Sequence, residues 1–321
     1  MPFKQILAGT WTVVKNSFDG FANDKVPKLS GSLSYYMIFS MGPLLLIIIT
    51  VCSVFFGREA IEGGIYRQLE GFTGHDTAIQ LQQIIKNASL SGKTGIATVI
   101  GIITLLIGAT SVFAEMQDSI NMIWGVKAKP KKNWLKILQN RFLSFSIIIS
   151  LGFLLLVSLA ISALIESFGH YLMGRYPGIT VIVFYIINLL ITIGITCFIF
   201  GIIFKVLPDA EIHWKDVFAG SLVTTILFLL GKFAISFYIS KAQIGSTYGP
   251  AGSLIVLIIW VYYSAIILYF GAEFTKFYAL HYGAPIHPSK YAVAVEQVEK
   301  EKGKISLQEN EQEKDAKMKK H

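Results

Sequence analysis

Long uncharged runs alternate with short polar stretches along this chain, and one of those runs anchors the rest. From Ser253 to Gly271 there is no charged residue, which is enough to cross a hydrocarbon core of roughly 30 Å as a single helix. Tyr248, Gly249, Pro250 and Gly252 break the chain ahead of this run, and Glu273 and Lys276 follow it. Trp260, Tyr262, Tyr263 and Tyr269 supply more aromatic surface than a lipid-facing helix needs, so the segment is expected to pack against other helices.

The same pattern predicts five further spans, at about 36–56, 95–114, 143–164, 180–204 and 217–239. Pro43 removes a backbone donor from the first and is expected to kink it. Gly95, Gly101 and Gly108 give the second a small-residue face that lets helices approach closely. The polar stretches divide in character. Residues 58–93 read as an external helical loop capping the bundle, and 115–142 as a basic loop. Residues 279–321, dominated by Glu, Lys and Gln, read as a disordered charged tail. At the amino end, Leu7, Trp11, Val14, Phe18 and Phe21 recur at steps of four and three, the spacing of one apolar helix face. This amphipathic segment, 1–28, fits two positions: lying in the headgroup plane, or packing that same face on the inner ends of the spans. The predicted fold is therefore all-α, a polytopic transmembrane bundle of six spans over 29–278.

Composition agrees. Hydrophobic residues make up 53% of the chain and charged residues 15%, against about 45 to 50% and about 25% in soluble domains. A net charge of +8 suits nucleic acid less well than the bias of Lys and Arg toward cytoplasmic loops. With the amino terminus inside, the inner side receives four basic residues before the first span, six in the second loop, two in the fourth and nine from Lys276 onward, against six outside. Both termini are thus expected in the cytoplasm. Residues 1–28 show no apolar h-region or cleavage site, so insertion is expected to use the spans themselves. Cys52 and Cys197 fall toward opposite ends of their spans and are expected to stay unpaired.

Three stretches carry a resemblance: Leu33 to Leu45 (LSYYMIFSMGPLL), Glu115 to Trp124 (EMQDSINMIW), and Tyr248-Gly249 through Trp260-Val261-Tyr262-Tyr263 to Gly271-Ala272-Glu273. In that order they resemble the YihY/BrkB family, from about Pro27 to Tyr278. The resemblance implies a six-helix bacterial inner-membrane protein, from a family once grouped as ribonuclease BN.

Ionisable groups at membrane depth cost on the order of 2.5 to 3.5 kcal/mol at a helix centre, so each is a functional candidate. Lys232 lies about sixteen residues into its span, roughly 24 Å along at 1.5 Å per residue, too far to pair with Glu115 or Glu273. It either snorkels to the outer headgroups or meets an anionic headgroup near Tyr248 and Arg175. Glu115 and Glu273 close their helices at the inner boundary, within expected reach of Arg141 or the 127–136 lysines. Glu115, Asp118 and Asn121 either tie the second helix to the basic loop or form the floor of a translocation path. Asp209, Glu211 and His213 read as a solvated turn.

The histidines are scattered, and no phosphate-binding glycine loop, paired acid motif or nucleophile elbow appears. A non-enzyme without cofactor or metal is expected, with membrane lipids as partners and no specific nucleic acid. Small-residue faces permit a homo-oligomer. The leading expectation is facilitated, scramblase-like movement of an amphipathic anionic molecule such as a lipid or lipid-linked intermediate. The alternatives are a scaffold recruiting partners through its basic loop and tail, and membrane-associated RNA cleavage in keeping with the old family name.

Overall fold

The structure, a computed structural model, describes residues 3–40, 111–129, 177–242, 252–289 and 292–295, with Gly63, Tyr66 and Ile79 as isolated helical positions. The external loop 58–93, the third span and most of the first two spans lie outside the described residues, apart from those three positions. In chain order the described elements are α1 (Phe3–Asn23), α2 (26–40), α3 (111–123), β1 (Val126–Ala128), α4 (Pro177–Val206), β2 (Ala210–Glu211), α5 (Trp214–Ala242), α6 (Gly252–Tyr282), β3 (His287–Pro288) and β4 (Ala292–Ala294).

Three of these helices are long and apolar enough to cross a membrane: α4, α5 and α6 contain windows of mean hydropathy 2.4, 1.9 and 2.3. They coincide with the fourth, fifth and sixth predicted spans. Of the three, α6 is the hub, since 44% of its window is buried against 28% and 22% for the others. The expectation that this helix packs against others holds. Its amino-terminal half receives α2 through Met37, which meets Leu257 and Val261. Its carboxy-terminal half receives α1 and α3, and α5 packs along both halves.

The contact between α5 and α6 is built from a reciprocal motif. Each helix carries Gly-x-x-x-Thr, Gly220 to Thr224 on α5 and Gly271 to Thr275 on α6. A Cβ on Gly220 would strike Thr275, and one on Gly271 would strike Thr224. Each threonine donates its hydroxyl to the carbonyl of its own helix's glycine at 2.7 Å. Each hydroxyl, though the threonine atom nearest the facing glycine, is satisfied within its own helix, which suits an interface with no water to supply partners. One end further along, Tyr263 donates to the Leu227 carbonyl at 3.1 Å and occupies the space a side chain at Gly231 would need. On the other flank of α5, Cys197 of α4 lies 3.2 Å from the Ser221 hydroxyl and is a buried free thiol, as expected. Cys52 is outside the described residues.

Of the two positions open to the amino-terminal helix, the structure does not show the one that packs its Trp/Phe face on the spans. Its buried positions are Gly9, Val13, Ser17 and Gly20, while Trp11 and Phe18 are 70% and 60% exposed. Close approach to α6 selects the small stripe, because Gly9 abuts Tyr282 and Gly20 abuts Glu273 and Phe277. The Trp/Phe face is left outward. Phe18 and Phe21 touch Phe270 only at the rim, with ring centroids 5.0 and 6.1 Å away. The side chain of Leu7 is not among those described. After α1 the chain reverses through Lys25, whose φ of 53° places it in the left-handed region, and Pro27 sits in the first turn of α2, where its missing N–H is no loss.

Two expectations are corrected. The second span does not end at Glu115: α3 continues to residue 123 and closes on Gly125, whose φ of 65° suits a glycine C-cap. The chain is also not purely helical, nor is the tail unstructured from 279. Helix α6 runs to Tyr282, β3 pairs antiparallel with β2 (Glu211 opposite His287), and β4 pairs antiparallel with β1 (Lys127 opposite Val293). Backbone groups of two loops on the rim of the bundle find partners in the returning chain, which satisfies donors that would otherwise need water. Residues 296–321 lie outside the described residues.

Replacing Gly271 or Gly220 by Val is expected to destabilise the protein by about 1 to 3 kcal/mol through overpacking. The double variant should be far from additive, because both lie in one interlock. Gly194, with no described residue within 4 Å of an added Cβ, provides the control: Gly194→Ala should leave the thermal unfolding midpoint in detergent unchanged or slightly raised. Equal sensitivity at the three positions would refute the interlock.

Candidate functional site

The candidate site lies at the end of the bundle where α3, α4 and α6 terminate and α5 begins. Each element brings a polar residue there for a local reason. On α3, Gln117 and Asn121 are spaced four apart and share one face. Both are buried and both turn toward the loop between α4 and α5. The Asn121 amide donates to Asp209 Oδ2 at 3.0 Å, its carbonyl accepts from the Asp209 N–H at 2.8 Å, and Gln117 donates to the same Oδ2 at 3.3 Å. Asp209 is thereby held by three hydrogen bonds from one helix. Its own carbonyl accepts from Ser289 N at 2.9 Å, which brings in the chain after α6.

Around this clamp the loop is ordered throughout. Lys205 donates to the Ile212 carbonyl and stands 5.9 Å from the Trp214 ring centroid. Asp216 lies buried in the first turn of α5, where a carboxylate is favoured by the helix dipole. It accepts from Ala284 N at 3.4 Å, and a side chain on Gly283 would collide with it. Trp124, just beyond α3, donates its indole N–H to the Ala272 carbonyl at 3.0 Å inside the core. Val126, Ile212, Phe204 and Tyr269 belong to the same apolar cluster.

The predicted residues divide into three places. Asn121 and Gln117 meet Asp209, so the run from Glu115 is tied to the loop between α4 and α5 and, through Trp124, to α6; residues 130–142 of the basic loop lie outside the described residues. Asp118, exposed on α3, lines a cleft of about 540 Å³ with Asn121, Met122, Lys127 and Val295. Glu115 is partly buried one turn earlier. Glu273 is buried on α6 and is met by Lys276 at 3.6 Å, with Asp24 sharing that ammonium; Lys127 and Lys129 point to solvent. Lys232 is half-buried on α5, eight residues beyond Thr224. Tyr248 and Arg141 lie outside the described residues.

Sequence reasoning missed Asp209, read as a solvated turn with Glu211 and His213. Glu211 is in fact a strand residue and His213 is exposed, and among the described residues no group of three His, Cys, Asp or Glu side chains could hold a metal. One signal pointed to Asp209: a Pro-Asp pair opening a charged loop between two spans, facing an amide-rich helix end.

Asn121→Ala strips Asp209 of two hydrogen bonds and is expected to cost about 1 to 3 kcal/mol. Asn121→Asp, which opposes two carboxylates, should cost more. Thermal unfolding of the purified protein with the matching Asp209→Ala cycle measures the coupling, and additive single losses would show that the clamp does not exist.

Comparison with known proteins gives one family. Residues 17–293 match the family described as Virulence factor BrkB. A UPF0761 membrane protein of Tolumonas auensis is 27% identical over 263 residues, 79% of this chain and 80% of its own. One from Alteromonas mediterranea is 23% identical over 256 residues, 78% of this chain and 82% of its own. One from Ralstonia nicotianae is 24% identical over 78% of this chain, which spans about half of that longer protein, 54%. No solved structure matches this chain. With most of its length matched, and with apolar helices long enough to span a bilayer, the chain belongs to the BrkB family of membrane proteins.

Proposed function

We propose that this protein is a plasma-membrane facilitator that lets an amphipathic anionic molecule, such as a lipid or lipid-linked intermediate, cross or enter the bilayer. The observation that carries the reading is Lys232, a half-buried cation within an apolar span, followed on α5 by the exposed rings of Phe233, Phe237 and Tyr238. A cation beside exposed aromatics offers an anionic head a partner and its tails a surface.

We take the strand-bearing end as cytoplasmic. The segments counted as inner by basic-residue bias, those after α3, between α4 and α5 and after α6, meet at one end through the two strand pairs, which supports both termini inside. Asp118 and Asn121 then line the inner mouth.

The scaffold reading retains one specific support, the charged stretch from 296 onward. The ordered strands change how it must be tested. A cut after Tyr282 would remove β3 and β4 as well as the charged stretch, so truncation belongs after Val295.

In proteoliposomes at matched insertion, the wild-type chain is expected to accelerate exchange of an anionic lipid between leaflets. Lys232→Gln should slow it at least several-fold with unchanged unfolding temperature, and Glu115→Ala should leave most of it. Equal rates in wild type and Lys232→Gln would remove the lysine from the mechanism. No exchange of any anionic lipid would refute the facilitator reading.

A further inference from the structure

Glu273 sits in the centre of the inner half of α6 with 0% exposure, and neither carboxylate oxygen accepts a hydrogen bond. The contact that seals it is Gly20 of α1, whose bare Cα presses against Oε2. Its nearest cation is Lys276, one turn along the same helix at 3.6 Å, a separation too long for a hydrogen bond. That ammonium also reaches Asp24 Oδ2, at 3.4 Å, where α1 ends. One cation therefore faces two carboxylates.

Fully ionised, the three groups carry a net negative charge, and the more buried carboxylate has no donor to replace lost water. Burial without pairing opposes the charged form, and a second nearby carboxylate opposes it further. Among the described residues the neighbouring elements bring no relief. Glu115 and Asp118 of α3 act on Tyr269, one turn away, and both are acids. On α5 the charges near this end are Lys215, exposed to solvent, and Asp216, already engaged at Gly283 and Ala284. Lys28 at the start of α2 points to solvent.

We propose that Glu273 and Asp24 form a proton-binding carboxyl pair that shares one proton beside Lys276, at the junction of α1 and α6. The proton comes from water and breaks no covalent bond. With it, Glu273 becomes a donor toward Asp24, and Lys276 and Asp24 are left as one cation and one anion. Asp24 and Lys276 are both partly exposed at the rim, at 26% and 22%, so the buried member is connected to the aqueous phase. Because Gly20 belongs to α1 and Asp24 directly follows its last residue, release of the proton weakens the hold of α1 on α6. Proton binding follows from these three groups alone and does not depend on any transported molecule.

The test is infrared spectroscopy of the full chain in lipid nanodiscs, titrated with pH. Wild type is expected to show the carbonyl band of a protonated carboxyl at neutral pH, and Glu273→Gln to lack it. Asp24→Asn removes a like charge and frees Lys276, so the band should disappear at a proton concentration at least tenfold higher than in wild type. A second readout follows from linkage. A native state that holds a proton the unfolded chain has released loses stability as pH rises, so wild type should unfold more easily from pH 6 to about 9 and Glu273→Gln should show a flatter profile. If Glu273→Gln does not fold, the Asp24→Asn midpoint decides. No protonated carboxyl near neutral pH, a band surviving Glu273→Gln, or a midpoint unmoved by Asp24→Asn would each overturn the proposal.

Discussion

Everything else in the described structure depends on how closely α5 and α6 approach. Two glycines and two threonines set that distance, each glycine admitting the other helix's threonine. In a lipid phase apolar surface gives little preference for a neighbouring helix over an acyl chain, so association rests on close dispersion contact and satisfied polar atoms. The threonine hydroxyls meet both requirements by bonding within their own helices. Once α5 is seated, α4 follows through Cys197, Phe200 and Ser221. The opposite faces of α6 are left for α1, α2 and α3.

The polar end is a consequence of that seating. Helix α3 reaches α6 through Trp124 and α5's leading loop through Asn121, so its register is fixed at two points. The strand pairs then close over the same end. Buried polar residues here do not mark a water-filled channel by themselves. Gln117, Asn121, Asp209 and Asp216 are hydrogen-bonded, while the Glu273 carboxylate and the Tyr269 hydroxyl make no hydrogen bond.

The fourth, fifth and sixth spans were legible because hydropathy over about twenty residues is a strong, local signal. Helices α4, α5 and α6 fall where the uncharged runs are, α4 and α5 extended by about a turn at each end and α6 continuing past Gly271 to Tyr282. The rest was hidden for physical reasons. Pairing in β1 to β4 involves two or three residues per strand and partners far apart in sequence, so no periodicity announces it. Asp209 and Asn121 are 88 residues apart, and a charged loop looks the same whether solvated or clamped. In α1 Trp11 and Phe18 dominate the apolar pattern, while the face that packs is made of glycine, valine and serine. Close helix contact is favoured by small side chains, which hydropathy scores poorly. For Glu273 the partners were not legible, because Asp24 reaches Lys276 beside it only through the packing of α1.

The strand pairs also bear on biogenesis. Residues 287–294 are made after every helix described here, yet they complete backbone pairing for segments that left the ribosome much earlier. Until they emerge, residues 126–128 and 210–211 present unpaired edges at the membrane face, which are templates for wrong pairing. Closure of that face thus waits until translation has passed the last described helix, and a nascent chain stalled before then would hold inserted helices with an open, adhesive rim.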